Sequence, residues 1–122
     1  MKMTLRETAI AFLKLAGMGE ARDAFQKYVA PQCIHHNPYF EGSRSALLHA
    51  MEEDHRTHPN IAIEIKHSYS DGDTVITHSH VQKADMEIAV VHIFRFENGK
   101  IIEIWDVGQV LEEDSPNQHG PF

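Results

Sequence analysis

Cysteine is nearly absent: Cys33 stands alone in 122 residues. No disulfide can close within the chain, which fits a reducing compartment, and a lone cysteine of this kind reads as a small buried hydrophobe. Long apolar runs are also missing. No stretch approaches the roughly 18 residues of a membrane span, and the opening MKMTLRETAIAFLKL is broken by Arg6, Glu7 and Lys14, unlike a signal-peptide core. A cytoplasmic location is the resulting expectation. Positive charge is scarce, with 11 Lys and Arg against 18 Asp and Glu, a formal net charge of −7. That sign is wrong for neutralising phosphates or anionic lipid heads, so neither nucleic acid nor a membrane is expected as a partner. Repeats, low-complexity tracts and Pro/Ser-rich linkers are lacking too. With ordinary shares of hydrophobic (42%) and charged (24%) residues, residues 1–122 read as one domain around one core. Histidine, by contrast, is plentiful: ten residues, several placed within apolar alternation.

The pattern runs helices first, strands after. Thr4 and Glu7 have the spacing of a capping box, followed by a helical stripe of Leu5, Ala9, Phe12, Leu13 and Ala16 that ends at Gly17 and Gly19. A second helix is predicted from about 20 to 28. Residues 31–40, PQCIHHNPYF, contain two prolines and read as a short extended piece. A third helix spans about 43–57, with Leu47, Leu48 and Met51 inward and Pro59 beyond its end. From Ile61 the period changes to two, with Ile61, Ile63, Ile65, His67 and Tyr69 alternating with polar residues up to the hairpin signal Asp71-Gly72. Strands of about 74–82, 86–97 and 100–110 complete an α+β pattern of three helices and four antiparallel strands.

Register decides which side chains share a face. A three-residue loop at Glu97-Asn98-Gly99, with Gly99 in a left-handed bulge position, gathers Val90, His92, Phe94, Ile102, Ile104 and Asp106 on one face. The same reasoning sends His78 and His80 to that face with Ile76 and Ile88, with His78, Val90 and Asp106 in one cross-strand row. It sends Val91, Ile93, Ile101, Trp105 and Val107 outward. So many apolar groups on the outer face predict a homodimer built there.

Three constellations could carry chemistry. Asp106, in EIWDVGQ, is a carboxylate in phase with Ile102 and Ile104, so it either has a partner or lines a cavity. His78 and His80 at i, i+2, with His92 on the next strand, have the spacing of a zinc site, or of pocket imidazoles that hold an oxygen or relay a proton. In His35-His36-Asn37-Pro38, neighbouring side chains of an extended segment point to opposite sides, so at most one of the two His enters a pocket.

The order helix, helix, extended HHNP, helix, then long strands ending in FRFENGKIIEIWDVGQ resembles the SnoaL-like polyketide cyclases of the nuclear-transport-factor-2-like superfamily. The resemblance runs from about residue 4 to the closing SPNQHGPF, a tail resembling that of an aldol-condensation-type branch. It implies a cone of three helices on a curved antiparallel sheet around an apolar cavity. It also implies a general base on the last strand, matched here by Asp106. The related ketosteroid isomerases carry their base just before a proline; that residue is Asn37 here, an amide, which weakens an isomerase reading. On this likeness the chain is expected to work without a cofactor or metal on a small apolar carbonyl compound. Asp106 would be the base, its pKa raised by burial, with His36 and His92 bonding the substrate oxygen. His78 and His80 would orient Asp106 or the ligand, Asn37 would help bind it, and Tyr69, Phe94 and Ile104 would shape the wall. Two alternatives stay open: a non-catalytic small-molecule-binding protein, and a metal-dependent protein using His78, His80 and His92. The fold itself hosts many activities.

Overall fold

The computed structural model describes residues 2–122. Its elements are α1 (Leu5–Gly17), α2 (Ala21–Tyr28), β1 (Val29–His35), α3 (Arg44–Thr57), β2 (Asn60–Asp71), β3 (Thr74–Lys83), β4 (Glu87–Glu97) and β5 (Lys100–Val110). The capping box forms: Thr4 Oγ1 accepts from the Glu7 N–H at 3.1 Å and Glu7 Oε1 from the Thr4 N–H at 2.8 Å. Ser43 caps α3 through the Ala46 N–H. Each helix turns one apolar stripe to the sheet. Phe12 is the wedge, its ring 5.5 Å from Phe25 and 5.8 Å from Phe94, so α1, α2 and β4 meet on three aromatic rings.

The five strands form one curved sheet in the order β1-β5-β4-β3-β2. The 31–40 segment is more than a connector. Its first half is β1, which adds a fifth strand parallel to β5, through pairs such as His35 with Ile104. The remaining pairings are antiparallel, as expected.

Register at the β4–β5 hairpin has a different origin from the one expected. Asn98 (φ 53°) and Gly99 (φ 77°) form a two-residue loop closed by Glu97 and Lys100, since both central residues of this turn type need positive φ. A one-residue bulge then falls on β5 at Ile102, opposite the Arg95–Phe96 step of β4. The bulge restores the phase that a longer loop would have produced. His92 therefore pairs with Asp106 and Phe94 with Ile104 on the inner face. It also turns Ile101 into the core, fully buried, rather than onto the outer face.

On β3 the phase is opposite to the one predicted. The turn between β3 and β4 closes on Gln82 and Glu87, which pairs Thr77 with His92, His78 with Val91, and Ser79 with Val90. Val75, Thr77 and Ser79 are fully buried inward, while Ile76 is 36% exposed. His78 and His80 thus lie on the outer face. A register shift between Ile65 and His67 carries His67 and Tyr69 outward as well, where Tyr69 pairs with Ile76.

Candidate active site

A cavity of about 120 Å³ opens between the helices and the concave face of the sheet. Phe12, Leu13, Gly17, Leu47 and Met51 line it from the helices, Ile63, Val81 and Ile104 from the strands. Its polar lining is His35, Asn37, Asn60, His92 and Asp106. An apolar vessel with a few converging polar groups is the form small-molecule sites take.

Asp106 and His92 face each other because β4 and β5 pair them directly. His92 Nε2 lies 3.2 Å from Asp106 Oδ2, and its ring stacks on Phe94 at 5.6 Å and 16°. Phe94, fully buried, is thus the backing of His92. With Nε2–H donating to the carboxylate, His92 Nδ1 is buried and makes no hydrogen bond within the protein; Thr77 Oγ1, its cross-strand neighbour, makes none either.

The Asp106 pKa moves opposite to expectation. Burial is the largest single influence and raises it, but the hydrogen bond and charge of His92, with a contribution from His35, together carry it below the ordinary 3.8. The side chain is still 35% exposed, which limits what burial can do. At neutral pH Asp106 is therefore a carboxylate.

Of the adjacent histidines, His35 enters the cavity and His36 does not. His35 is 5% exposed. Its Nδ1 accepts from the Asn37 N–H at 3.1 Å, and its Nε2–H donates to the Glu41 carbonyl at 2.5 Å. Both nitrogens are occupied, so the ring serves as a strut for the 35–41 loop. That strut holds Asn37, whose Oδ1 accepts from the Tyr39 N–H at 3.0 Å, leaving the amide NH₂ free to donate at the cavity mouth. His36 stacks on Trp105 (4.7 Å, 9°) and bonds Glu103 Oε2 at 2.7 Å. Glu103 also receives Arg95 at 2.8 and 2.7 Å. The His36 and Arg95 hydrogen bonds hold its carboxyl below the usual carboxylate range. His36 thus fastens the site loop to the outer face of β5 instead of lining the cavity.

Five of the nine anticipated site residues come together: Asp106, His92, Asn37 and Ile104 line the cavity, and Phe94 backs His92. His36, His78, His80 and Tyr69 do not. His78 and His80 flank the Phe122 ring on the outer face, each 5.1 Å from it, and His80 bonds Glu87 at 2.6 Å. They cannot share an ion with His92, which lies on the opposite face of the sheet. Among the described residues no group of three or more His, Cys, Asp or Glu is placed to hold a metal. Asn60 and Met51 are site residues the sequence reading did not single out, and of the His35-His36 pair it gave the role to His36 where the structure places His35. Cys33, on β1, is buried in the core, and burial pushes its thiol up to about 11, so it stays protonated and inert.

A five-stranded curved sheet on three helices, holding a cavity with an Asp–His pair at its mouth, is the nuclear-transport-factor-2-like class of fold. Similar solved structures include AclR from Streptomyces galilaeus (19% identity, TM-score 0.74, 86% of this chain and 88% of that one). IdmH from Streptomyces antibioticus is another (16%, 0.75, 88% and 93%). A third is an NTF2-like protein of unknown function from Burkholderia xenovorans (19%, 0.74, 92% and 88%). No curated protein matches the sequence significantly. The chain belongs to the SnoaL-like polyketide cyclase family, whose model matches residues 12–113.

Proposed function

We propose that the protein is a cyclase-type enzyme that removes an acidic proton α to a carbonyl by cofactor-free general acid/base chemistry. The observation that carries this reading is Asp106, a carboxylate ionised at neutral pH at the mouth of an apolar cavity and bonded to His92. Asp106 takes the proton. The free Asn37 NH₂ is the donor available for the enolate oxygen as charge develops on it, while the His92 Nε2–H holds Asp106 in place.

The lowered pKa narrows the substrate. A carboxylate held below its ordinary pKa is the weaker base, which favours a reacting carbon made acidic by two carbonyls over the α-carbon of a simple ketone. Cavity size narrows it further. An apolar cavity of about 150 Å³ holds benzene, so about 120 Å³ admits a few heavy atoms, not a fused ring system. A β-dicarbonyl compound with one short acyl arm in the cavity and the rest at its mouth meets both limits. Acetylacetone is a direct probe: the protein should accelerate deuterium incorporation at its central carbon above the buffer rate, and Asp106→Asn should abolish the acceleration. Equal rates with and without protein would favour a binding protein that uses the same cavity.

The working unit we propose is a homodimer through the outer face of the sheet. Tyr69, Ile76 and Val107, on three different strands, are 59%, 36% and 64% exposed there, beside Val91, Ile93 and Trp105. Such a patch is costly to leave in water.

A further inference from the structure

A second depression adjoins the cavity. It is a groove of about 530 Å³ between the 36–39 loop and the last residues of β5, and Asn37 and Asp106 line both it and the cavity. The groove exists because β1 ends too soon. The last bond on that side of β5 runs from the His36 N–H to the Ile104 carbonyl at 2.9 Å, after which the loop swings away. Backbone groups alternate sides along a strand, so those of Asp106 and Gly108 face the same edge as those of Ile104. Among the described residues, no loop hydrogen bond covers that edge beyond Ile104. Apolar side chains flank it: Tyr39, Val107 and Val110 are 84%, 64% and 51% exposed.

Gly108, in the groove, is not required by packing. A Cβ there would lie 3.6 Å from its nearest neighbours, Ala89 O and Ile88 Cγ2, an ordinary contact. Its φ is not among the positive values found at Gly19, Gly72, Gly99 and Gly120. What the missing side chain does is keep this part of the groove open.

We infer that the ligand has two parts joined at the reacting carbon: a short acyl arm that fills the cavity, and an extended, largely apolar arm that lies along the free edge of β5. This rests on the reading of Asp106 as the base, because Asp106 stands at the junction where the acidic carbon must sit. The cavity alone is too small for both arms of a dicarbonyl compound, and the groove is continuous with it through the residues assigned to the chemistry. An arm carrying an amide or hydroxyl would also find unpaired backbone groups at Asp106 and Gly108.

The test compares acetylacetone with benzoylacetone, which differ only in whether one arm is a methyl or a phenyl group. Benzoylacetone should bind at least about tenfold more tightly, the scale expected when a phenyl ring is partly withdrawn from water. The amide resonances of Gly108 and Val110 should move with benzoylacetone and not with acetylacetone. Gly108→Val, which the backbone accepts, should reduce the preference to about twofold or less. Equal affinities for the two compounds, or resonance changes confined to cavity residues such as Val81 and Ile104, would overturn the inference. The base reading fails separately: shifts at Gly108 and Val110 without any Asp106-dependent exchange would support the groove and refute the chemistry.

Discussion

Val81→Phe is the sharpest test that the cavity is a working volume and not slack packing. Val81 points inward from β3 and lines the cavity opposite Met51 and Leu47 of α3. An unfilled apolar cavity costs a fold about 24 cal/mol per Å³, so about 120 Å³ corresponds to at most about 3 kcal/mol of forgone stability. The phenyl ring adds four carbons and fills about half of that space, a return of about 1–1.5 kcal/mol. Forcing a larger side chain into place costs a similar 1–3 kcal/mol. The two nearly cancel, so the variant should melt within about 5 °C of wild type. Binding should not survive: acetylacetone should no longer perturb the amides of Ile104 and His92, and catalysed exchange should fall to the buffer rate. Thermal unfolding and a titration followed by nuclear magnetic resonance read both quantities on one sample. A loss of more than about 3 kcal/mol would mean that the site is already filled by protein, and undiminished binding would place the ligand elsewhere.

Light scattering at micromolar concentration should report a dimer, and Ile93→Glu, which places a charge on the outer face, should convert it to monomer with activity measurable separately. Asp106 ionises below its ordinary 3.8, so the acid limb it contributes to exchange should fall below that pH. The sign for stability follows: a carboxylate depressed on folding stabilises above its unfolded pKa, so the contribution of Asp106 is whole at neutral pH and fades on acidification through the folded value. Thr4→Ala should cost about 0.5–2 kcal/mol in urea unfolding, since it removes one half of the α1 capping box. Loss of affinity without loss of catalytic rate is the expected kinetic signature of Gly108→Val.

Much of this architecture is legible in the residues, because the helical stripes and the Asp71-Gly72 and Asn98-Gly99 turns are local signals. Phase is not local. Ile76 is more apolar than Thr77, and Ile34 more apolar than Cys33, so side-chain character argues for Ile76 and Ile34 inward and carries His78, His80 and His36 inward with them. The fold does the reverse: Thr77, Ser79, Cys33 and His35 are buried, and Ile34 is 47% exposed. The inward row of β3 is set by its pairing with β4, which places Val75, Thr77 and Ser79 opposite Phe94, His92 and Val90, and the outer sheet face accepts the apolar surplus. The bulges on β2 and β5 are equally silent, each one extra residue that reverses the alternation after it. His92 and Asp106 are placed correctly because the β5 bulge offsets the shorter turn. The sense of the Asp106 shift was hidden for another reason: it depends on which imidazole meets the carboxylate, and that is set by register.

Asp106→Asn, measured for folding and for exchange together, tests the central claim most directly. The amide keeps the shape and an oxygen that accepts from His92 Nε2–H, so thermal unfolding should change by about 1 kcal/mol or less, and benzoylacetone should still bind. A neutral amide cannot take a proton, so enzyme-catalysed deuterium incorporation should fall by about 10²–10⁴. An intact fold with exchange at the wild-type rate would remove Asp106 as the base, and a variant that unfolds several kcal/mol earlier would make it a structural partner of His92 instead.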